Sequence, residues 1–393
     1  MNMSRSRLLV IAPFCAEIPL RGYEKFLKHH IEELVINYDV DLVTLGASGL
    51  RKLHNPLFLN SQTVVQSGLL SRLIGGLLCL FKGLPIQCAE FYSPTFRQII
   101  EKMVVSENYD KVICYMARTF AVVPEKIHAK TIVFAIDPLV VSYRLSSRVS
   151  GFLRRMAYKL EGYLIGRFEG YIIKNARSFA LISQHDVRRY LRLFGPQNQI
   201  DLIRYGVNLA KSNVPLKARD SKLLVVSGSG FYAPNVRALQ YLLEFVWPEI
   251  RKLGYFRLKI IGAEIDPKIR QLAKAFPDVE VVGFVDNVFE YLSNAFACFC
   301  LVDLDVGVQT KLLEAMSCGT PAICSWASSK GVGAIDRQEV LIAQSPAEVV
   351  AALEQLRADS EKWQSISRAA YEFIGQRYLW ENSSQDLLKI IKC

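Results

Sequence analysis

Short apolar runs separated by helical patterns are the feature of this sequence that most restricts its fold. Such runs begin at Leu8 (LLVIAPF), Val40 (VDLVTLG), Lys111 (KVICYMA) and Thr131 (TIVFAIDP). Each run has the length of one strand, and the stretches between them are long enough for helices. This alternation is typical of a parallel sheet covered by helices, so the sequence predicts an α/β fold.

The composition is that of a globular protein with two domains. The chain has 393 residues, of which 51% are hydrophobic and 22% are charged, and this length is about twice that of a usual domain. Its nine cysteines include no CxxC pair, which fits a reducing compartment better than a disulfide framework. The first apolar run is too short for a signal peptide, so we expect a cytoplasmic protein.

A net charge of +11 bears on the partners of the protein. Part of it lies in a basic and aromatic stretch between Tyr143 and Arg177, which suits an anionic lipid surface or a pyrophosphate-linked lipid acceptor. A solvated helix face is the alternative explanation for part of these charges. The sequence contains no recognisable nucleic-acid-binding motif, so we expect no nucleic acid partner.

The most hydrophobic segment runs from Gly68 to Pro85. Arg72 and Lys82 leave nine uncharged residues between them, which is too few to cross a bilayer. Two interpretations remain open. The segment is either a core helix of the first domain or a helix that lies on the inner face of a membrane as a peripheral contact.

The run from Val306 to Ser325, VGVQTKLLEAMSCGTPAICS, predicts a helix that begins at a glycine-containing loop and ends at Gly319. Unpaired N–H groups at a helix start bind phosphate oxygens, and Lys311 adds a cation there. The amides at this start belong to Val308, Gln309 and Thr310. Glu314, one turn further, is placed to accept both hydroxyls of a ribose. An ordinary amphipathic helix with a solvated Glu314 fits the same pattern.

This run resembles the signature of the retaining glycosyltransferases of family 4 (glycosyl transferases group 1), which have a GT-B fold. Other segments resemble that family in the expected order: LIRYGVNL from Leu202, residues 225–250, LKIIGAEIDPKI from Leu258, VEVVGFVDN from Val279 and YLWENSSQDLL from Tyr378. The enzymes of lipopolysaccharide or exopolysaccharide assembly are the most similar members.

The resemblance implies two Rossmann-like domains whose parallel sheets face each other across a cleft. Residues 1–205 would form the acceptor-side domain, and residues 206–375 would form the donor domain. Residues 376–393 would form a C-terminal helix that packs back on the first domain.

The resemblance also implies roles for residues of the donor domain. Gly228 and Ser229 would line the donor site in a loop whose amides can face phosphate, and Asn235 stands where relatives often carry a basic residue. Phe284 and Val285 would hold the base through backbone contacts. The family usually has two glutamates eight positions apart; the second is Glu314, but the first position is Val306.

Four further residues, Arg21, Gly22, Arg118 and Asp137, are expected to line the first-domain side, because ligands of parallel sheets bind beyond the carboxyl ends of strands. Arg21 and Gly22 resemble the glycine loop that lies near the donor phosphates and the acceptor. Asp137 follows an apolar strand and precedes Pro138, which holds its backbone extended. No histidine occupies such a strand end, so Asp137 is the candidate base for the acceptor hydroxyl.

The reaction implied is transfer of a sugar from a nucleotide diphosphate sugar to a hydroxyl of a glycan or lipid-linked acceptor, with retention of configuration. Lys311 and the helix amides would stabilise the diphosphate, and we expect neither a metal nor a cofactor. Two alternatives stay open. One is a catalytically silent subunit of a polysaccharide assembly complex, and the other is a sugar-nucleotide epimerase.

Overall fold

The computed structural model describes residues 5–13, 22–46, 59–66, 68–148, 151–210 and 215–392. These residues divide into two compact units. The first comprises residues 1–203 together with 384–393, and the second comprises residues 204–383. Arg21, one of the predicted site residues, lies outside the described residues.

A parallel sheet forms the centre of the first unit. Its strands are β1 (Arg7–Ala12), β2 (Asp39–Gly46), β3 (Ser61–Gln66), β4 (Lys111–Tyr115), β5 (Thr131–Ile136), β6 (Ser178–Leu181) and β7 (Ile200–Leu202). Their order is β3-β2-β1-β4-β5-β6-β7, and all neighbouring strands are parallel. The apolar runs therefore become buried strands, as expected when helices cover both faces of a parallel sheet.

Helices and short 3₁₀ turns connect these strands. The helices are α1 (Gly22–Asn37), α2 (Leu69–Lys82), α3 (Pro94–Ser106), α4 (Leu139–Arg148), α5 (Phe152–Asn175) and α6 (Gln184–Phe194). The 3₁₀ turns span Ile86–Cys88, Ala117–Val122 and Glu125–Lys130. Serines begin two of the helices, since Ser93 accepts the N–H of Phe96 at α3 and Ser183 accepts that of His185 at α6.

The second unit has a sheet with the strand order of a dinucleotide-binding fold. Its strands are β8 (Asp220–Ser227), β9 (Arg257–Ile261), β10 (Val279–Gly283), β11 (Ala295–Cys300), β12 (Ala322–Cys324) and β13 (Leu341–Ile342). They are parallel in the order β10-β9-β8-β11-β12-β13, which is the 3-2-1-4-5-6 order of a Rossmann sheet. The predicted α/β fold with two Rossmann-like parallel sheets is confirmed.

The helices of this unit pack on both faces of its sheet. They are α7 (Ala233–Tyr241), α8 (Trp247–Arg251), α9 (Pro267–Ala273), α10 (Val288–Asn294), α11 (Thr310–Ser317), α12 (Trp326–Val332), α13 (Pro346–Ala358) and α14 (Ser360–Arg377), and the last helix, α15 (Trp380–Lys392), follows them. A π-helical turn, Leu242–Val246, joins α7 to α8. Two fully buried tryptophans, Trp247 and Trp363, lie in the hydrophobic core of the second unit.

Helix α15 begins in the second unit, and its residues from Ser384 onward belong to the first. Within the first unit, the ring Nε2 of His29 lies 2.9 Å from the hydroxyl of Ser384. Lys111 donates to the carbonyl of Ile391, and Leu387 is fully buried. The end of the chain is therefore part of the core of the first unit.

Helix α2 decides between the two interpretations of the segment from Gly68 to Pro85. Its small residues Gly75 and Cys79 are buried, whereas its large residues, among them Leu69 and Phe81, are exposed. A core helix would have the opposite arrangement, so the first interpretation is wrong. Within the described ranges, none of the helices is sufficiently long and apolar to cross a bilayer.

Candidate functional site

The predicted donor residues lie where the strand order of the second sheet reverses. Strand β8 starts the progression toward β9 and β10, and β11 starts the progression in the other direction. The loops after β8 and β11 therefore diverge at this point, which leaves a crevice at the carboxyl ends of the strands. Gly228 and Ser229 follow β8, and Lys311 lies in the first turn of α11, the next helix after β11.

Glycines let the backbones of neighbouring loops approach closely at this edge. Gly228 has a φ of +148°, and a Cβ there would lie 3.3 Å from the Nζ of Lys311. A Cβ on Gly262, which follows β9, would overlap the carbonyl oxygen of Gly228. Gly228 also donates its N–H to Ile261. Only glycine fits both positions.

Lys311 is tied to the glycine loop through Asn235. The Nζ of Lys311 donates to the amide oxygen of Asn235, and the amide nitrogen of Asn235 donates to the carbonyl of Ser229 at 3.0 Å. A small cavity lined by Gly228, Asn235, Cys300 and Lys311 lies beside this bridge. The bridge fixes the cation next to the loop amides.

Burial lowers the pKa of Lys311 below its ordinary value, while Cys300 and Glu314 act in the opposite direction. A partly desolvated ammonium interacts strongly with an incoming anion. The site is therefore suited to a diphosphate.

The two ends of α11 are held differently. At its start, the side chain of Gln309 makes no capping hydrogen bond. At its end, Gly319 has a φ of +60°, and the buried guanidinium of Arg219 donates to the carbonyls of Cys318 and Gly319 and to the hydroxyl of Thr320. Burial lowers the pKa of Arg219 to about 10. The helix is anchored by its C-terminal end, and the amides of Val308, Gln309 and Thr310 lie at its start.

Glu314 lies one turn into α11 and is half-buried. Burial raises the pKa of the Tyr205 hydroxyl, and the negative charge of the nearby Glu314 raises it further. Val306, which occupies the position of the first family glutamate, is 8% exposed. The side chain at that position therefore packs inside the unit and offers no polar contact to a sugar.

Phe284 and Val285 lie at the same edge of the sheet. Gly262 donates its N–H to the carbonyl of Gly283 at 2.8 Å, so the end of β10 is joined to the loop after β9, which touches Gly228. Gly283 has a φ of +87° and turns the chain out of the strand. Phe284 is 59% exposed directly after this turn.

In the first unit, Asp137 follows β5 at a strained point of the backbone. Ile136 has a φ of +63°, and Met116, which follows the neighbouring strand β4, has a φ of +67°. Positive φ at these residues is costly, especially at the β-branched Ile136, and such strain concentrates at functional sites. Part of Asp137 is exposed to solvent, and the protein packed around the rest of it desolvates the carboxyl and raises its pKa, while the positive charge of Arg118 acts against this.

Two further predicted first-unit residues are described, Gly22 and Arg118, and Gly22 is the first residue of α1. Arg118 belongs to the 3₁₀ turn after β4, and among the described residues its buried Nε has no hydrogen-bond partner. A buried guanidinium N–H of this kind is available to an anionic or hydroxyl-bearing ligand.

Sequence reasoning missed two residues of the second-unit site. Gly262 was not singled out, although a glycine directly after the apolar run LKII is a signal for close backbone approach. Tyr205 gave no signal, because its proximity to Glu314 is a contact between positions more than 100 residues apart.

Comparison with known proteins gives this geometry a chemical meaning. A family described as glycosyl transferases group 1 matches residues 221–359. This range contains β11, α11 and every second-unit residue that the sequence analysis assigned to the donor site, and it contains none of the first-unit residues. The chain is a glycosyltransferase. No curated protein matches this glycosyltransferase.

Solved structures with the same fold cover nearly the whole glycosyltransferase. A sucrose-phosphate synthase from Thermosynechococcus elongatus is 16% identical, with a TM-score of 0.66 over 99% of this chain and 98% of that one. HepE from Anabaena in complex with UDP-glucose is 10% identical, with a TM-score of 0.68 over 98% and 99%. WaaG, a glycosyltransferase involved in lipopolysaccharide biosynthesis, is 13% identical, with a TM-score of 0.68 over 97% and 99%. The predicted GT-B fold is confirmed.

Proposed function

We propose that this glycosyltransferase is a retaining enzyme of family 4 that moves a sugar from a nucleoside diphosphate sugar to a hydroxyl of a glycan or lipid-linked acceptor in surface-polysaccharide synthesis. The observation that carries the proposal is the position of Lys311. A partly desolvated ammonium lies at the start of α11 and is joined through Asn235 to the glycine loop after β8. HepE, which has the same fold, has been solved with UDP-glucose and with UDP, which supports a nucleotide-linked donor.

In the proposed reaction, the bond between the anomeric carbon and the diphosphate oxygen breaks, and a bond to the acceptor oxygen forms. The diphosphate leaves with both electrons of the broken bond, so negative charge grows beside Lys311 and the amides of Val308, Gln309 and Thr310. Preorganised donors stabilise such charge more in the transition state than in the ground state. These groups take the part that a metal ion has in other transferases, so we propose no metal and no cofactor.

Other groups orient the two substrates. Glu314 accepts the ribose hydroxyls, and the backbone at Phe284 and Val285 holds the base. Gly228 and Ser229 receive the diphosphate. The acceptor hydroxyl loses its proton as it attacks, and Asp137 accepts this proton; its raised pKa brings it nearer to the pKa of an effective base. We also propose a role in substrate binding for Gly22 and for Arg21, which lies outside the described residues. We propose that the enzyme works in the cytoplasm at the inner face of a membrane, with no nucleic acid partner.

A catalytically silent subunit is the second candidate, and the buried Val306 favours it, because a sugar contact made by a glutamate in relatives is replaced by an apolar side chain. Such a subunit would bind the nucleotide sugar without releasing nucleoside diphosphate in the presence of acceptors. An epimerase would convert the nucleotide sugar without any acceptor. Product analysis therefore separates the three functions.

Ligand-induced thermal stabilisation is the first test. The full chain is melted with UDP, GDP, ADP and UDP- or GDP-linked sugars, with and without magnesium. A ligand at 100 times its Kd stabilises the folded state by about 2.7 kcal/mol. We expect a shift for one base that does not depend on magnesium. No shift across the whole panel would contradict the donor site.

Glu314→Gln tests the ribose contact, with Glu354→Gln on the exposed face of α13 as the matched control. Losing a hydrogen bond to a charged acceptor weakens donor binding by roughly tenfold or more. Calorimetric titration should show this loss for Glu314→Gln alone. Equal donor affinity of the two variants would overturn the assignment of Glu314.

A further inference from the structure

Helix α2 is built in the reverse of the usual amphipathic order. The side that packs on the protein carries Gly75 and Cys79, and a Cβ on Gly75 would overlap the carbonyl oxygen of Ala89. The opposite side carries seven large apolar residues that are 39–88% exposed: Leu69, Leu70, Leu73, Ile74, Leu77, Leu80 and Phe81. At 3.6 residues per turn these seven fall within an arc of about 140°. Close packing on the small face fixes this orientation.

A continuous apolar face of this size marks an interaction surface. Single exposed leucines are ordinary on a soluble protein, but a group that fills one side of a helix is not. The large side chains cannot turn inward, because there is no room for a Cβ at Gly75 against Ala89. The outward face is therefore a fixed feature of this unit.

The beginning of α5 continues this surface. Glu161 of α5 accepts the N–H groups of Ile86 and Gln87, both at 3.1 Å, just after the end of α2. Next to Glu161, Leu160 is 64% exposed, and Ile86 is 45% exposed. Three further apolar residues of α5 point to solvent near its start: Phe152, Leu153 and Met156. The two helices are joined through this turn, and each exposes apolar side chains there.

The charges on this surface are mostly positive, although Glu90 pairs with Arg72 and Glu161 lies at the junction of the two helices. Arg154, Arg155 and Lys159 are exposed among the apolar residues of α5, and Lys82 ends α2. Residues 68–85 and 151–160 contain no aspartate or glutamate. A second copy of the chain is a poor occupant, because a two-fold interface would bring these cations against each other. An anionic bilayer complements both the charge and the apolar face.

We infer that α2 and the first turns of α5 form one membrane-insertion surface, in which the apolar face of α2 enters the headgroup region of an anionic bilayer and Arg154, Arg155 and Lys159 pair with lipid phosphates. Exposed phenyl rings such as those of Phe81 and Phe152 suit the apolar face of a helix that lies in a bilayer interface. The surface involves none of the residues proposed to bind the sugar donor, so its test is separate from that of the reaction.

Vesicle flotation of the full chain tests the inference. The vesicles contain phosphatidylcholine alone or phosphatidylcholine with phosphatidylglycerol, at low and high salt. We expect the wild type to float with the anionic vesicles and to be partly released by salt, because cations attracted to an anionic surface are screened. Absence of binding to anionic vesicles at low salt would overturn the inference.

Two variants separate the contributions, and each has a matched control. Leu73→Ser/Leu77→Ser/Phe81→Ser removes part of the apolar face of α2, and Ile36→Ser/Val105→Ser/Ile335→Ser changes three exposed apolar residues elsewhere. Arg154→Ala/Arg155→Ala/Lys159→Ala removes three cations, and Lys102→Ala/Lys126→Ala/Lys222→Ala changes three exposed lysines elsewhere. Binding should fall roughly 100-fold for the α5 charge variant and at least about tenfold for the α2 variant, with little change in either control.

Folding and self-association are measured on the same samples. Nucleotide-induced thermal shifts should be equal in the wild type and the variants, which shows that loss of vesicle binding is not a loss of fold or of donor binding. If the α2 variant does not fold, the charge variant still gives the test. Unchanged flotation of the charge variant would overturn the inference. A wild-type dimer that the α2 variant dissociates, without vesicle binding, would also overturn it and would identify a second copy as the occupant.

Discussion

The two sheets of this glycosyltransferase share one strand order, but different structural features lie where that order reverses. In the second unit, glycines bring the loops after β8 and β9 into contact, and Lys311 is held beside them through Asn235. In the first unit, the strands beyond the reversal point end in residues with strained backbones, Met116 after β4 and Ile136 at the end of β5. Backbone amides and a fixed cation suit a phosphate group, whereas strained strand ends aim individual side chains such as that of Asp137.

One sheet topology can therefore serve in the recognition of two different kinds of substrate group. A diphosphate is similar in every nucleotide sugar, so a site built from backbone groups and one lysine is sufficient for it. Acceptors differ from one another, and side chains presented at strand ends can vary without disturbing the sheet. We therefore expect substitutions in the second unit to affect the leaving group and those in the first unit to affect the acceptor.

The largest expected effect is that of Lys311→Met. Without the ammonium, the charge on the departing diphosphate loses its main stabilising group, and kcat should fall by roughly 1000-fold. The melting temperature should stay the same or rise, because the lysine is partly desolvated in the native state. Steady-state kinetics and thermal melts measure both. Lys222→Met, on the exposed start of β8, is the control. A kcat within a few-fold of wild type would remove Lys311 from the mechanism.

Asp137→Asn should have a smaller effect, confined to the acceptor step. A missing general base lowers kcat by roughly 100-fold, while donor binding should be unchanged. Because the pKa of Asp137 is raised, the acid limb of the wild-type pH–rate profile should lie above the ordinary range of an aspartate, and the variant should lack this limb. Glu125→Gln, at an exposed carboxylate of the same unit, serves as the control. A variant that keeps the acid limb would exclude Asp137 as the base.

Glu169→Gln tests the support of α4, the helix that starts directly after Asp137 and Pro138. Glu169 is fully buried, and its Oε2 accepts the N–H of Val140 at 3.3 Å and the hydroxyl of Tyr190 at 2.9 Å. Burial raises the pKa of Glu169 from 4.5 to about 8. The folded state thus binds a proton that the unfolded state releases above pH 4.5, so this contribution to stability is complete below pH 4.5 and is lost as the pH rises toward 8.

The free energy of unfolding of the wild type should therefore lose about 3.5 kcal/mol between pH 5 and pH 8 relative to Glu169→Gln. Denaturant titrations at the two pH values measure this difference. Glu372→Gln, at an exposed position of α14, should follow the wild type. Parallel pH dependence of wild type and Glu169→Gln would show that the carboxyl is ionised in the folded protein at neutral pH, and the account of α4 would then be wrong.

Several elements could be read from local sequence because local chemistry defines them. The buried strands β1, β2, β4 and β5 are continuous apolar runs, and α11 is bounded by a glycine loop and by Gly319 at the expected C-terminal position. Strand β3, SQTVVQ, was not predicted. It lies at the edge of the sheet with mostly half-exposed residues, so it lacks the apolar run that marks its neighbours.

The sequence by itself determined the spacing of apolar residues along each strand and helix, and this spacing predicts two parallel sheets. It also placed Lys311 and Glu314 on one short helix. Only the tertiary structure decided which groups meet. Asn235 reaches Lys311 across 76 positions, and Gly262 touches Gly228 because β9 pairs with β8. It also decided that the large face of α2 points outward, since a helix buries whichever face its neighbour fits, and Ala89 fits Gly75. Local patterns specify periodicity, whereas contacts between distant segments depend on packing.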